Sequence, residues 1–337
     1  MGIDSLMLAL IGVGITLYAV FGGADFGAGV WEFNTALRSS PAEKKLIERA
    51  IGPVWEANHV WLIFVIVAMF SAFPAAFAGL SRALWLPLLF ALMGIVFRGA
   101  AFVFRSYTPA TARQHEFWRG LFALASTATP FCFGAAVGAV ASGRLAIAAD
   151  GTFSGDYLFG WVSGLAIFDG FFAVGMCAYL ASVYLTREAA ALEDLALVDL
   201  WRRRALAVGV VMGVLSLAGL AFVAHDAPHL WDGFRARGAP LVIGSVGAGF
   251  LSLWAVWRRH HRTANAGAAL TVATVIWGWA VAQYPFVVPP AIRVDSAPAP
   301  AAVLQLMAWS TAGGMLIVAP SIFWLMSLFK SQQAMEK

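Results

Sequence analysis

Residues 205–224 read ALAVGVVMGVLSLAGLAFVA, an unbroken run without a charge or a proline, set between Arg202-Arg203-Arg204 and His225-Asp226. The hydrocarbon core of a bilayer takes about 20 mostly apolar residues in a helix. In lipid, every backbone N–H and C=O must find its partner inside the segment, so a spanning run of this kind is an α-helix. No period-two alternation runs through this stretch or its neighbours, which excludes a β-barrel. Outward from it, nine such stretches are counted, at about 5–33, 52–79, 83–105, 117–142, 157–186, 204–225, 239–257, 264–285 and 302–329. Several exceed the minimum length, which allows tilt. The composition says the same. Of 337 residues, 61% are hydrophobic and only 12% charged, and the mean hydropathy is +0.79. Soluble domains carry roughly 25% charged residues, so an aqueous enzyme and a disordered chain are both excluded. The first stretch does not read as a cleaved signal peptide. It lacks a basic leading region, its apolar run is too long, and its second half holds a polar motif.

The formal net charge is +4, from 22 Lys and Arg against 18 Asp and Glu, which suggests no nucleic-acid surface. Its placement is informative. Arg38, Lys44, Lys45, Arg49, Arg105, Arg113, Arg119, Arg187, Arg202, Arg203, Arg204, Arg258, Arg259, Arg262, Lys330 and Lys337, sixteen in all, fall on one side of the predicted membrane. Five fall on the other: Arg82, Arg144, Arg235, Arg237 and Arg293. Lys and Arg concentrate on the cytoplasmic side, so the N-terminus is expected outside and the C-terminus inside. Cys132 and Cys177 lie in apolar runs and offer neither a disulfide framework nor zinc spacing.

The whole chain, 1–337, reads as one all-α integral membrane domain with a loose internal echo. Gly23-Ala-Asp-Phe-Gly-Ala-Gly29 is echoed by Asp169-Gly-Phe-Phe-Ala-Val-Gly175, and Thr129-Pro-Phe by Tyr284-Pro-Phe. Equivalent features four helices apart predict two four-helix bundles, 5–142 and 157–285, plus a ninth helix at 302–329.

Function is sought among polar groups inside the membrane, because a charge at mid-bilayer costs roughly 2.5–3.5 kcal/mol on insertion scales. They are Asp25, Glu56, His59, Arg98 and Asp169, with Asn58, Gln283 and Gln305 as neutral partners. Asp25 sits among glycines that allow close helix packing; it reads either as a structural acid on that face or as a proton-relay acid. Glu56 follows Pro53 at the start of a helix. An acid in a first turn complements the helix dipole, yet Glu56, His59 and Val60 also share one face at i, i+3 and i+4, which fits a proton inlet. Trp55 and Trp61 read as interfacial anchors or as members of a buried network. Arg98 either snorkels to the cytoplasmic surface or pairs with Glu56 or Asp25. Asp169 has no sequence-local partner and needs an interior environment. No histidine pair suits a bis-histidine haem and no set of three ligands suits a metal.

These residues spell out a resemblance. Gly22 to Gly29 resembles the Gly-rich acidic motif in the first helix of cytochrome bd ubiquinol oxidase subunit II. Ile51-Gly-Pro-Val-Trp-Glu-Ala-Asn-His-Val-Trp-Leu-Ile63 resembles that family's most distinctive block. Phe97-Arg98, Phe102 and Phe104-Arg105 resemble its third helix, and Tyr284-Pro-Phe-Val-Val-Pro289 the end of its eighth. The likeness covers essentially the whole chain and is closest to the compact, cyanide-insensitive-type version. Two positions depart: Val103 stands where many members have an acid, and Ala57 where they have Gly.

The resemblance implies a nine-helix subunit of the respiratory chain, paired with subunit I in a bacterial cytoplasmic membrane. Subunit I would carry the haems, b and d or b-type alone, and oxidise quinol. This chain would bind no haem or metal of its own, support assembly, and line proton and oxygen routes. Some members hold a structural quinone, and the resemblance leaves a place for a small accessory subunit. By position, Asp25 and Glu56 match the acids linked to the family's proton path, with Asn58 and His59 beside them and Trp55, Trp61, Arg98 and Asp169 as a supporting network. The rival readings are a secondary transporter with buried carboxylates and a scaffold without a proton role. A transporter would build a substrate site from broken helices of both halves, whereas here the buried charges cluster in the first half.

Overall fold

The computed structural model describes residues 2–35, 41–51, 55–109, 113–296 and 298–335. Its helices are α1 (Ile3–Leu17), α2 (Gly23–Thr35), α3 (Pro41–Ile51), α4 (Trp55–Ala72), α5 (Pro74–Ala83), α6 (Trp85–Tyr107), α7 (Arg113–Ala141), α8 (Gly164–Ala191), α9 (Leu195–Asp226), α10 (Pro228–Gly233), α11 (Ala239–Trp257), α12 (His261–Gln283) and α13 (Ala301–Met335). A hairpin of β1 (Phe286–Val288) and β2 (Ile292–Arg293) lies between the last two. Among the described residues, eight helical stretches are long and apolar enough to cross a bilayer, and a bent pair brings the number to nine.

That bent pair stands where one span was expected at 52–79. α4 and α5 meet at 120°. Pro74 opens α5, and the residue before a proline is pushed out of the α region; Phe73 sits at φ −132°, ψ 64°. Three other boundaries move. Residues 157–163 form turns, and α8 starts only after Ser163, whose hydroxyl caps it by accepting from the Ala166 N–H at 3.0 Å. The stretch expected at 239–257 begins at Pro228, through α10 and a single π-helical turn, Phe234–Gly238. The stretch expected to end at 285 ends at Gln283, because Pro285 cannot donate to the helix. The motif from Tyr284 to Pro289 is therefore a turn and a strand, with Phe286 paired to Arg293.

A second π-helical turn, Tyr18–Gly22, joins α1 to α2 in one continuous helix just before Asp25. π-turns of this sort are often found at functional sites. α2 packs against α7 and α8, α6 against α7, α8 against α9 and α12, and α11 against α12. Small residues make these contacts close. A Cβ at Gly27 would overlap the Cys177 carbonyl, and one at Gly29 would overlap Ser126. Elsewhere the helices present broad apolar faces outward, with Leu217 and Leu316 well exposed, as lipid-facing surfaces do.

Candidate functional site

The polar heart of the molecule is a seam of three helices. α2 carries Asp25 and Glu32, and α6 carries Arg98 and Arg105. Each pair is seven residues apart, two helical turns, so both members face the same way at a separation of about 10.5 Å. The two faces meet in register. Arg98 Nη2 donates to Asp25 Oδ1 at 2.5 Å, and Arg105 Nη1 donates to Glu32 Oε1 at 2.7 Å. All four side chains are nine-tenths or more buried. α7 completes the seam. Ser126 Oγ accepts from Arg98 Nε at 3.0 Å, and the Phe122 ring lies against both guanidiniums, 4.8 Å from Arg98 Cζ and 5.1 Å from Arg105 Cζ. The seam closes this tightly because Gly29 leaves the α2 backbone against Ser126.

Of the two readings for Arg98, burial in an ion pair with Asp25 is the one the structure has. Such a pair recovers its desolvation cost only when geometry and further hydrogen bonds are good. Here the second guanidinium contact to Ser126 and the aromatic faces supply them. Glu32 and its link to Arg105 were not foreseen from the sequence, where Arg105 reads as a loop charge. The matched spacing of seven on both helices is the signal that could have found them. Val103 is 43% exposed and turned away from the seam, so the carboxylate beside Arg105 comes from α2 rather than from α6. A further unforeseen pair lies at the same end of the molecule: Arg204 Nη1 donates to Glu43 Oε2 at 3.0 Å, with its guanidinium 4.6 Å from the Trp201 ring.

Asn58 and His59 reach toward the π-turn. Asn58 is buried, and its Nδ2 donates weakly to the Phe21 carbonyl at 3.5 Å. The His59 ring lies 6.0 Å from Tyr18 and 6.3 Å from Phe26. His59 Nδ1 and the Tyr18 hydroxyl are buried without a hydrogen-bond partner among the described residues. Val60, placed on the His59 face by spacing, is exposed, and Trp61 is half-buried. The side chains of Trp55 and Glu56 lie outside the described residues. Asp169 is not brought to the seam. It is half-buried on α8 facing Gly138 of α7, with no charged neighbour among the described residues. Gln283 Nε2 donates to the Val287 carbonyl at 3.3 Å, tying α12 to β1, while Gln305 faces outward. Among the described residues, no three of His, Cys, Asp and Glu converge as metal ligands.

The arrangement, buried carboxylates held by arginines with a histidine and a tyrosine close by, can hold charge and pass protons in a low-dielectric interior. Known proteins resemble this chain along most of its length. Residues 3–329 match the family of cytochrome bd terminal oxidase subunit II. Cytochrome bd-I ubiquinol oxidase subunit 2 of Escherichia coli (strain K12) is 26% identical over 318 residues, covering 85% of this chain and 82% of that protein. Cytochrome bd ubiquinol oxidase subunit 2 of Bacillus subtilis (strain 168) is 27% identical over 216 residues, a match that spans 64% of this chain and only 60% of the relative. A chain from the structure of bd oxidase from Geobacillus thermodenitrificans superposes with a TM-score of 0.82 over 98% of this chain and 99% of that one; at 19% identity, this likeness speaks for the fold. Carried by a match from one end of the described helices to the other, the chain belongs to the cytochrome bd terminal oxidase subunit II family.

Proposed function

We propose that this chain is the second subunit of a quinol-oxidising terminal oxidase in a bacterial cytoplasmic membrane, where it supports a haem-bearing subunit I and carries protons toward the site of dioxygen reduction. Family membership supports the complex, and the observation that carries the proton role is the buried Asp25–Arg98 pair beside His59 and Tyr18. In this reading the chain has an outer N-terminus, an inner C-terminus, two four-helix halves and a ninth helix. Reporter fusions at Arg144 and Arg259 are expected to report outside and inside respectively, and the same side for both would overturn the topology.

Haem bound in the partner supplies electron transfer and dioxygen chemistry. In this reading the chain itself holds no haem, a view supported among the described residues by the aromatic rings that flank His59 and by the lack of any cluster of three His, Cys, Asp or Glu. The chain expressed alone is therefore expected to be colourless. Its own task is protonic. Water reaching the buried Tyr18 hydroxyl and His59 Nδ1 would satisfy both. Glu56, three residues before His59, takes up a proton, and Asn58 and His59 orient the water that hands it to Asp25. Arg98 holds the Asp25 carboxylate in place as the acceptor.

Reduction of dioxygen to water consumes protons at every turnover, so throttling their supply slows the whole cycle. Glu56→Gln is expected to leave the haem spectrum of the complex intact and to lower quinol-oxidase turnover, by roughly tenfold or more if this is the only route, about 1.4 kcal/mol in barrier. Glu56→Asp should retain much more activity. A Glu56→Gln complex that assembles normally and turns over at the wild-type rate would show that the residue is a helix-capping acid.

A further inference from the structure

The Asp25–Arg98 pair is the deeper of two stations. The other, Glu32–Arg105, opens toward a polar pocket of about 310 Å³ lined by Glu48 of α3, by Phe102, Arg105, Ser106 and Thr108 at the end of α6, and by His115 at the start of α7. Glu48 and Ser106 are exposed, and His115 Nδ1 lies 3.3 Å from the Thr108 carbonyl. Arg105 thus has one side on a wet, titratable rim and the other on a buried carboxylate. The charges next nearest to Glu32 are Arg119 on α7 and Glu48 on α3. Between the stations the seam is uneven. On the α6 side, the fully buried Phe122 ring lies against both guanidiniums. On the α2 side, Gly29 leaves the Ser126 hydroxyl against the backbone, hydrogen-bonded to Arg98.

We propose that Glu32 is a second proton inlet of this subunit, separate from the Glu56 block: the pocket formed by Glu48, Ser106 and His115 delivers protons to the Glu32 carboxylate, and Ser126 carries them on to Asp25. The inference rests on the reading of this chain as a proton-supplying subunit. A proton from pocket water binds a Glu32 carboxylate oxygen while Arg105 keeps the other. It leaves through water to the Ser126 hydroxyl, which accepts one proton as it gives another, and ends on Asp25. Glu32 and Ser126 return to their starting states, so nothing but a proton has moved. Arg105 is a positioning residue that holds Glu32 beside the pocket.

The test uses the intact oxidase complex. Glu32→Gln is expected to assemble with an unchanged haem spectrum, to turn over several-fold slower, and to show a larger solvent deuterium isotope effect than wild type. Glu32→Asp should restore most of the rate, which a purely structural acid would not require. The Ser106→Cys complex is compared with itself before and after labelling by a bulky thiol reagent, and labelling should slow it, with wild type given the same reagent as the control for Cys132 and Cys177. Glu32→Gln that assembles and matches wild type in rate and isotope effect overturns the inference. If Glu32→Gln does not assemble, a labelled Ser106→Cys complex that keeps its own unlabelled rate overturns it equally. Asp25→Asn and Glu56→Gln are run in parallel. If they too are silent, it is the proton-supplying role of the subunit that fails; if they slow turnover and Glu32 does not, only the second inlet fails.

Discussion

Asp25 on α2 and Asp169 on α8 answer to each other in the sequence echo, each beside glycines, yet their surroundings differ. Asp25 meets Arg98 and lies within a seam that also holds Glu32, Arg105 and Ser126. Asp169 faces Gly138 and has no charged neighbour among the described residues. The helix that would answer to α6 in the second half is α11, and residues 239–257 contain no charge at all. The seam of α2, α6 and α7 is built around internal ion pairs. The contact of α8 with α11 uses a small polar lock, the Tyr179 hydroxyl donating to Ser252 Oγ at 2.7 Å. The arginine, not the aspartate, sets the two surroundings apart.

The sharpest way to break that contrast is to remove the arginine. Arg98→Ala leaves Asp25 buried without its cation, and breaking one side of a buried pair costs about 3–5 kcal/mol. The yield and thermal stability of the assembled complex should collapse. Adding Asp25→Asn should recover a large part, and a double-mutant cycle with no coupling would mean that the pair does not hold the seam. A smaller loss is expected from Gly138→Ala. Its Cβ would lie 2.8 Å from Ala166 Cα and from the Leu165 carbonyl, so α7 and α8 must part, at about 1–3 kcal/mol. Asp169→Asn strands no cation and should shift stability by less than about 1 kcal/mol. A loss as large as that of Arg98→Ala would reveal a partner for Asp169. Least of all should follow from Gly213→Ala on the exposed face of α9, where a Cβ meets nothing within 4 Å; a change beyond about 0.5 kcal/mol would point to a protein neighbour on that face.

Legibility from sequence followed the range of the interaction. The apolar runs announced every membrane helix, because hydropathy over twenty residues is a local quantity. The bend at Phe73 was signalled by Pro74, but 120° could not be read from it, since a proline permits a break without setting its angle. The β1–β2 hairpin was missed because three residues and two residues are too short for a periodic signal. Asp25 and Arg98 stood out as charges in apolar runs. Glu32 did not, because Trp31-Glu32-Phe33-Asn34 at the end of a span looks like an interfacial sequence, whose acid has water to face.

By itself the sequence determined the class of protein, the helices, and the short roster of groups too costly to leave facing lipid, for a physical reason that acts within each segment: a bilayer core offers no hydrogen-bond partner, so the chain must satisfy its backbone locally and hide its charges. Only the tertiary structure decided which charge hides against which. Asp25 meets Arg98 and Glu32 meets Arg105 across the same sequence separation of 73 residues. That coincidence depends on two helices packing in one register, through a glycine that admits Ser126 and around a phenylalanine that touches both arginines. Register between helices is set by the shapes of facing side chains, and no local property of either strip of sequence contains it.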